Sequence, residues 1–548
     1  CRGEARLARR ATMLLFRMPG SIKWTGLLCL AAGILIQAVA QDTNTLRVNT
    51  RMVEVDVVVH SKGQAVTDLK QDDFTVLDNR KPQKVAAFNI ISSRTTPGES
   101  IPLPPGAVSN RLTMEGQEPA GITIVLYDLL NTALEDQSWA RQALVHYVDT
   151  LQSGDHFALY SLNKTLSVIQ DFTDDPERIR RAARRAMPGA SVDRTADDLA
   201  ADLLATSPDL GDVIANGMQE NAIMMMQDNA QINRAEITTK TMEMIAKHLQ
   251  GLPGRKKLIW ISSSFAAQTT DVRSFNGHNV IVHKEFGNEI NHAVHTLNDA
   301  NVAVYAIDPT PLKPPPDPGL FRPGIDAMNL FAGGTGGQAF YMINDVAGAI
   351  KTAVEDSEVT YALGFYPVDI KLDGSYHSLS VKVDRKGVNL RHRKGYYATD
   401  LIHPTERQRK ESLDDVFETP LEATGIGMTA VLEPYARQAG VFRVTMNFNL
   451  QELHLERERN NWVALIQLAT YFPAAAKPNG TEESLKITLT EQRLREALAN
   501  GYTLQRTMIL GDRKGAMRLA IQDQVTGAAG SVKLQLAADG QPNPKNGQ

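Results

Sequence analysis

Cysteine is almost missing from this chain. Its two copies, Cys1 and Cys29, both precede the point where the N-terminal segment is expected to be cut, which leaves the mature chain no disulfide, thiolate metal site or cysteine nucleophile. Long apolar runs are scarce too. The run Thr25 to Ile36 is shorter than the ~20 residues of a membrane span, and no later stretch offers a second candidate. Nor is there a surplus of positive charge: the net charge is −4, residues 1–40 hold six Arg or Lys and one Glu, and the remainder carries −9. A nucleic-acid partner is disfavoured on that ground.

What is present begins with an export signal. From Met13, a short basic region (Arg17, Lys23) precedes the apolar run, and Ala38-Val39-Ala40 has the small-x-small pattern that signal peptidase accepts. Residues 13–40 therefore read as a signal peptide cut before Gln41, sending the protein to the periplasm or outside the cell with no transmembrane anchor. Leu27 and Leu28 stand where small residues would precede a lipidated Cys29. At 548 residues the chain exceeds a single core, and 43% apolar with 22% charged residues is an ordinary globular balance.

Val53, Val55, Val57 and Val59 alternate with Glu54 and Asp56, a half-buried strand pattern, and Asp73 to Arg80 and Val85 to Ile91 follow as further strands. Residues 41–92 are expected as an N-terminal β module and 93–120, rich in Ser, Thr, Pro and Gly, as a linker. From Gly121 strands alternate with helices: Ile122 to Tyr127, Asp136 to Gln152, Phe157 to Leu162, Lys257 to Ser262, Glu285 to Ala300, Val302 to Asp308, Gln338 to Tyr341 and Asp345 to Ser357. Such alternation predicts an α/β domain over 121–358, a mostly parallel sheet with helices on both faces. It is interrupted by a Met-rich insertion at 188–235 and a proline-rich one at 309–324. Strands return over 359–400 and could complete the first β module. The charged 401–415 reads as a second linker, 416–537 as a C-terminal β-sandwich, and 538–548 as a flexible tail.

Several segments in order resemble the secreted von Willebrand factor A-like proteins of Acidobacteria: DLKQDDFTVLDNRKPQKVAAF (Asp68 to Phe88), YDLLNT (Tyr127 to Thr132), GRKKLIWISSSF (Gly254 to Phe265), GGTGGQAF (Gly333 to Phe340), YALGFYP (Tyr361 to Pro367) and RKGYY (Arg393 to Tyr397). The match covers roughly residues 46 to 397. The resemblance implies a Rossmann-like domain with a metal-ion-dependent adhesion site at the C-terminal edge of its sheet. There a divalent cation such as Mg²⁺ is held by hydroxyl and carboxylate oxygens and completed by a partner's acidic group. Carried over, Asp128 matches the first aspartate and Thr132 the second hydroxyl. Leu130 replaces the first hydroxyl and Ser263 stands where a carboxylate is expected. Thr238 and Thr239 are candidates for the loop threonine, and Asn131 for a substitute oxygen ligand. The site is thus degenerate, its rim Asn131, Thr238 and Ser263, and the bland reading is that Asp128 hydrogen-bonds its own loop.

Other constellations carry less. Gly333 to Gly337 is followed by no Gly-Lys-Ser/Thr; His283, His292 and His295 with Glu285 and Glu289 lack the i, i+4 histidine pair of a zinc protease; Ser262 to Ser264 lacks a Gly-x-Ser-x-Gly elbow. The resulting expectation is an exported, non-enzymatic, protein-binding or adhesion module. The rival expectations are a structural subunit of an envelope or surface assembly and, behind it, a cation-dependent hydrolase.

Overall fold

In the computed structural model of the chain, the residues described are 52–92, 103, 106–111, 121–151, 156–186, 213–252, 254–263, 265, 267–275, 278–311, 324–356, 359–367, 373–399, 404–435, 438, 440–473, 479–511, 513 and 515–536. The signal segment, residues 188–212 of the first insertion, 312–323 of the second and the tail lie outside them, as do the side chains of Met218 and Met224 to Met226.

The strand Val53–Ser61 does not pair with its sequence neighbours alone. It lies between Val359–Phe365 and Val388–Arg391, both antiparallel to it, with Val85–Ser92 beyond Val359–Phe365. A second antiparallel sheet is ordered Gly395–Thr399, Asp373–Val383, Phe74–Asp78, Lys81–Gln83. The two share a core of Val55, Val57, Phe74, Val76, Tyr361, Leu363 and Leu379, and Tyr361 Oη, donating to Val66 O at 2.8 Å, satisfies its buried hydroxyl. Segments from either side of the α/β region in sequence thus make one β unit. Asp56 departs from the alternating pattern. It is buried, because the outer face of its strand is covered as well, and Asn301 Nδ2 donates to its Oδ2 at 2.8 Å.

The central sheet runs Gln338–Phe340, Val302–Ile307, Lys256–Ile261, Ile122–Asp128, His156–Leu162, Leu166–Thr173. Successive pairs are parallel except the last, which is antiparallel. Both faces are covered, so Ile122–Asp128, Lys256–Ile261 and Val302–Ile307 are buried at every position. Helices Val213–Leu249, Gly287–Asp299 and Ile325–Thr335 pack one face; Leu134–Val148, Pro176–Arg185 and Val346–Glu355 pack the other. Each fully buried Leu, Ile or Val contributes ~1.5–3 kcal/mol, enough to bury Lys256 and Lys257 in the same strand once their ammonium groups reach Leu252 O and Val354 O. A hairpin, Gln268–Phe275 with His278–Glu285, follows the third of these strands in sequence and was not foreseen.

The glycine-rich segment is a close-packing device. Gly336 caps helix Ile325–Thr335 at φ +75°, and a Cβ there would lie 2.5 Å from the backbone carbon of His392. Helix end and β unit meet at that point.

Both expected linkers need correction. Within 93–120, Val108–Ser109 pairs with Met428–Pro434, and buried Asn110 bonds Ala423 O (2.7 Å), Ile426 O (2.8 Å) and Met428 N (2.7 Å). Within 401–415 a helix, Glu406–Glu418, starts at a Thr405/Gln408 capping box. Its Leu413 and Val416 are buried against Ala423, Ala469 and Ala520. The capping box was readable in the sequence; charge obscured it. Beyond lie two antiparallel sheets around one core, Tyr502–Ile509/Val441–Phe448/Met428–Pro434/Val108–Ser109 and Glu456–Glu458/Asn461–Phe472/Gly515–Asp523/Ala529–Leu536, with Asn479–Thr490 also on Asn461–Phe472. Helix Glu491–Asn500 adds to the same core.

Those sheets join the α/β region through a buried polar seam. His248 Nδ1 lies 2.5 Å from Glu422 O, and its ring stacks on Phe172. Thr424 Oγ1 donates to His248 O at 2.7 Å. Burial pushes the Glu422 carboxyl up to about 7, against the pull of the Lys533 N–H and Arg518.

Two outcomes follow from these contacts. Asn110→Ala strands three buried backbone groups and should cost about 2–4 kcal/mol in urea unfolding; a loss below ~0.5 kcal/mol would mean that the segment is not pinned. Because the folded Glu422 pKa lies above its ordinary value of 4.5, the native state holds the extra proton between the two. This group's contribution is therefore full below the ordinary value and is lost as pH rises through about 7. Unfolding free energies measured across that window should fall more steeply for the parent than for Glu422→Gln, and parallel profiles would refute the assignment.

Candidate functional site

Asp128 ends its strand at the C-terminal edge of the sheet, and the loop 129–133 leads into helix Leu134–Val148. Leu129 N and Leu130 N both donate to Leu162 O, which turns the loop over the neighbouring strand. Gln137 Nε2 holds it from beneath, donating to Leu129 O at 3.1 Å and Thr132 O at 2.9 Å. The Tyr127 hydroxyl donates to Gln137 O at 2.5 Å, and burial pushes it up to about 12.

The carboxylate of Asp128 is fully buried and accepts five hydrogen bonds. Oδ1 receives Leu130 N (3.1 Å) and Asn131 N (3.0 Å); Oδ2 receives Asn131 Nδ2 (2.7 Å), Trp260 Nε1 (2.9 Å) and Ser262 Oγ (2.8 Å). Asn131 Nδ2 gives its second proton to Thr238 Oγ1 at 2.8 Å, which in turn donates to Arg234 O. Two strands, one loop and helix Val213–Leu249 are thereby tied to a single side chain. Burial raises the carboxyl above its ordinary value, and the donors from Asn131, Trp260 and Ser262 pull it back.

Asp128, Asn131 and Thr238 thus form one hydrogen-bonded chain. Thr132 and Ser263 lie beside it: Ser263 N donates to Thr132 Oγ1 at 3.4 Å, and Ser263 Oγ is 3.1 Å from Thr310 Oγ1. Thr239 does not reach the chain through its hydroxyl, which donates to Ala235 O within its own helix. Leu130 packs into the hydrophobic core beneath. Trp260 escaped sequence reasoning. Its signal was there: Trp260 and Ser262 are two apart on a strand and so share a face, and a buried indole N–H needs an acceptor.

The Asp128 carboxylate, as it is bonded here, does not fit Mg²⁺, while Asn131 Oδ1 is a buried oxygen with no hydrogen-bond partner. A cation needs converging oxygen lone pairs and a rising charge count, whereas both oxygens of Asp128 are met by protons. Trp260 and the backbone amides are donors only and cannot turn an acceptor inward. Among the described residues no three His, Cys, Asp or Glu cluster as a metal group. His292 and His295 pair separately, with Glu243 at 2.6 Å and Asp299 at 2.9 Å. Ser262 is fully buried and its proton lies on Asp128, which denies it to a substrate.

No protein-family model and no curated protein matches the chain. Solved structures do. They include von Willebrand factor type A domains. A von Willebrand factor type A protein from Catenulispora acidiphila is 9% identical, with 85% of this chain and 74% of that one covered at a TM-score of 0.24. The von Willebrand domain of the type V pili tip protein Mfa5 from Porphyromonas gingivalis is 11% identical, covering 43% and 93% at 0.22. An aerotolerance-related membrane protein from Bacteroides fragilis is 11% identical, covering 43% and 98% at 0.24.

Asp128→Ala leaves the Trp260 indole, Ser262, Asn131 and two backbone amides without their acceptor, and should cost about 3–5 kcal/mol in denaturant unfolding. Trp260→Phe removes one donor only and should cost about 1–2 kcal/mol. A near-neutral Asp128→Ala would show that the carboxylate does not hold the edge together.

Proposed function

We propose that this protein is an exported, non-catalytic, von Willebrand A-like binding module whose Rossmann-like domain recognises a protein partner without a cation, carried on a β unit and a C-terminal β-sandwich. The observation that supports it is the saturated carboxylate of Asp128: the position that would anchor an ion instead fastens the loop, the neighbouring strand and a helix. Recognition then rests on shape and apolar contact at the sheet's edge. Leu134, at the first turn of the helix that leaves the loop, is 55% exposed, and Met342, just past the end of Gln338–Phe340, is 52% exposed. Trp139 on the same helix is 42% exposed, and exposed aromatic and methionine side chains are the types that anchor protein interfaces. A hydrolytic role finds no support in the same geometry: Ser262 is buried with its proton on Asp128, and among the described residues no nucleophile is hydrogen-bonded to a base at this edge.

The test uses residues 41–548. After EDTA treatment, millimolar Mg²⁺, Mn²⁺ or Ca²⁺ should leave the melting temperature unchanged within about 1 °C, because only an ion that binds the folded state raises it. A cation-dependent rise that Asp128→Ala abolishes would overturn the cation-free reading. For the partner, cross-linking in exporting cells should capture the same protein with and without EDTA and lose it with Leu134→Glu plus Trp139→Ala. Capture insensitive to that pair would move recognition away from this edge.

A further inference from the structure

A second concavity lies where the β unit meets the α/β region, away from the Asp128 edge. Helix Gly287–Asp299 leads directly into the start of strand Val302–Ile307, so the last turns of that helix stand near the N-terminal edge of the sheet. Together with helix Ile325–Thr335 they form one wall. Strands Asp373–Val383 and Gly395–Thr399, with the turn before the latter, form the other, enclosing about 440 Å³. Two close approaches shape it. A Cβ on Gly336 would collide with the backbone at His392 and Arg393, and one on Gly395 would lie 2.4 Å from the ring of Tyr376. The first brings Arg393 against the helix end; the second lets the Tyr376 ring approach the backbone of Gly395.

The lining is chemically unusual. Arg393 Nη2 donates to Glu54 O at 2.5 Å, yet its Nε is buried without a partner; Asp299, which also lines the groove and pairs with His295, and Asp56 and Glu54 attract the guanidinium, but none forms an ion pair with it among the described residues. Lys394 beside it is exposed and also without an ion pair among those residues. Across the gap, Asn291 and Asn329 are exposed amides that make no hydrogen bond among the described residues, and Asn298 uses only its Nδ2, toward Gly334 O. Tyr376 presents a ring that is 49% exposed.

We propose that this groove binds a short saccharide carrying a carboxylate, of the uronic-acid type. Adjacent unpaired cations call for an anion. Amides that both donate and accept match hydroxyls, which do the same, and an exposed ring at the floor offers its negative face to the C–H groups of a sugar. The enclosed volume falls in the range of roughly 300–1,000 Å³ usual for small-ligand sites. An acidic peptide would satisfy the cations but would have less use for three amides around a single ring.

Calorimetric titration of residues 41–548 with trigalacturonic acid should show saturable binding, with neutral galactotriose at least about tenfold weaker. Lys394→Ala and Tyr376→Ala, both at exposed positions, should each weaken trigalacturonic acid by about five- to tenfold with an unchanged melting temperature. The proposal is overturned by absence of binding at about 10 mM ligand, well past the weakest affinities that specific sites show. It is equally overturned by binding that both variants leave intact, or by an acetylated tetraglutamate peptide that competes with equal affinity.

Discussion

The edge of the central sheet is organised around one buried negative charge. Removing a carboxylate from water costs several kcal/mol unless protons replace the lost solvent, and here five do, from a loop, an amide, an indole and a hydroxyl. The donors come from the loop after Asp128 and from the end of the neighbouring strand, so satisfying the charge also fixes where those two pieces sit. The register agrees: Ile261 lies opposite Tyr127, which sets Ser262 level with Asp128 on adjacent parallel strands. The Asn131 to Thr238 link then carries the constraint into helix Val213–Leu249, and the far end of that helix reaches the seam at His248 and Glu422. One carboxylate is thus connected, through a single helix, to the docking of the C-terminal sheets.

The same architecture explains why the chain departs from the sequence and returns. Val53–Ser61 finds its partners in strands beyond residue 358, so the β unit can close only after the α/β region has folded or at least brought its ends together. Loop closure over such a span adds little entropy per added residue, and Gly336 removes the steric obstacle to contact with the backbone at His392 and Arg393. Asp56 and Asn301 complete the join with a hydrogen bond across it.

Legibility followed the physics of each element. Strands covered on both faces, such as Ile122–Asp128 and Val302–Ile307, stood out as continuous apolar runs, and the helices between them by their spacing. Polar or charged composition misled where burial was local. Asn110 sits in a Ser/Pro-rich stretch but is held by three backbone groups far away in sequence. Glu406–Glu418 carries so many charges that two buried residues, Leu413 and Val416, were outweighed. At the candidate site, Asp128, Asn131 and Thr238 could be nominated individually. That they form a chain closed by Trp260 could not, because the indole comes from a strand whose register with Asp128 is a tertiary fact.

The Asp128 edge and the groove beside the β unit differ in how they treat charge, and the difference bears on what each can do. At the C-terminal edge the Asp128 charge is already met by five donors, so it has little electrostatic reach, and Leu134, Trp139 and Met342 are exposed apolar features there. At the other junction Arg393 and Lys394 make no ion pair among the described residues, and the nearby acid Asp299, 2.9 Å from His295, attracts Arg393 without pairing with it. The cost of burying the Arg393 guanidinium is only partly offset by Asp299, Asp56 and Glu54 nearby, and burial holds the pKa of that group below its ordinary value. An anionic ligand would recover part of that cost on binding, whereas nothing comparable is stored at the Asp128 edge. On the readings proposed above, affinity for charged molecules would belong to the groove, and apolar protein contact to the edge.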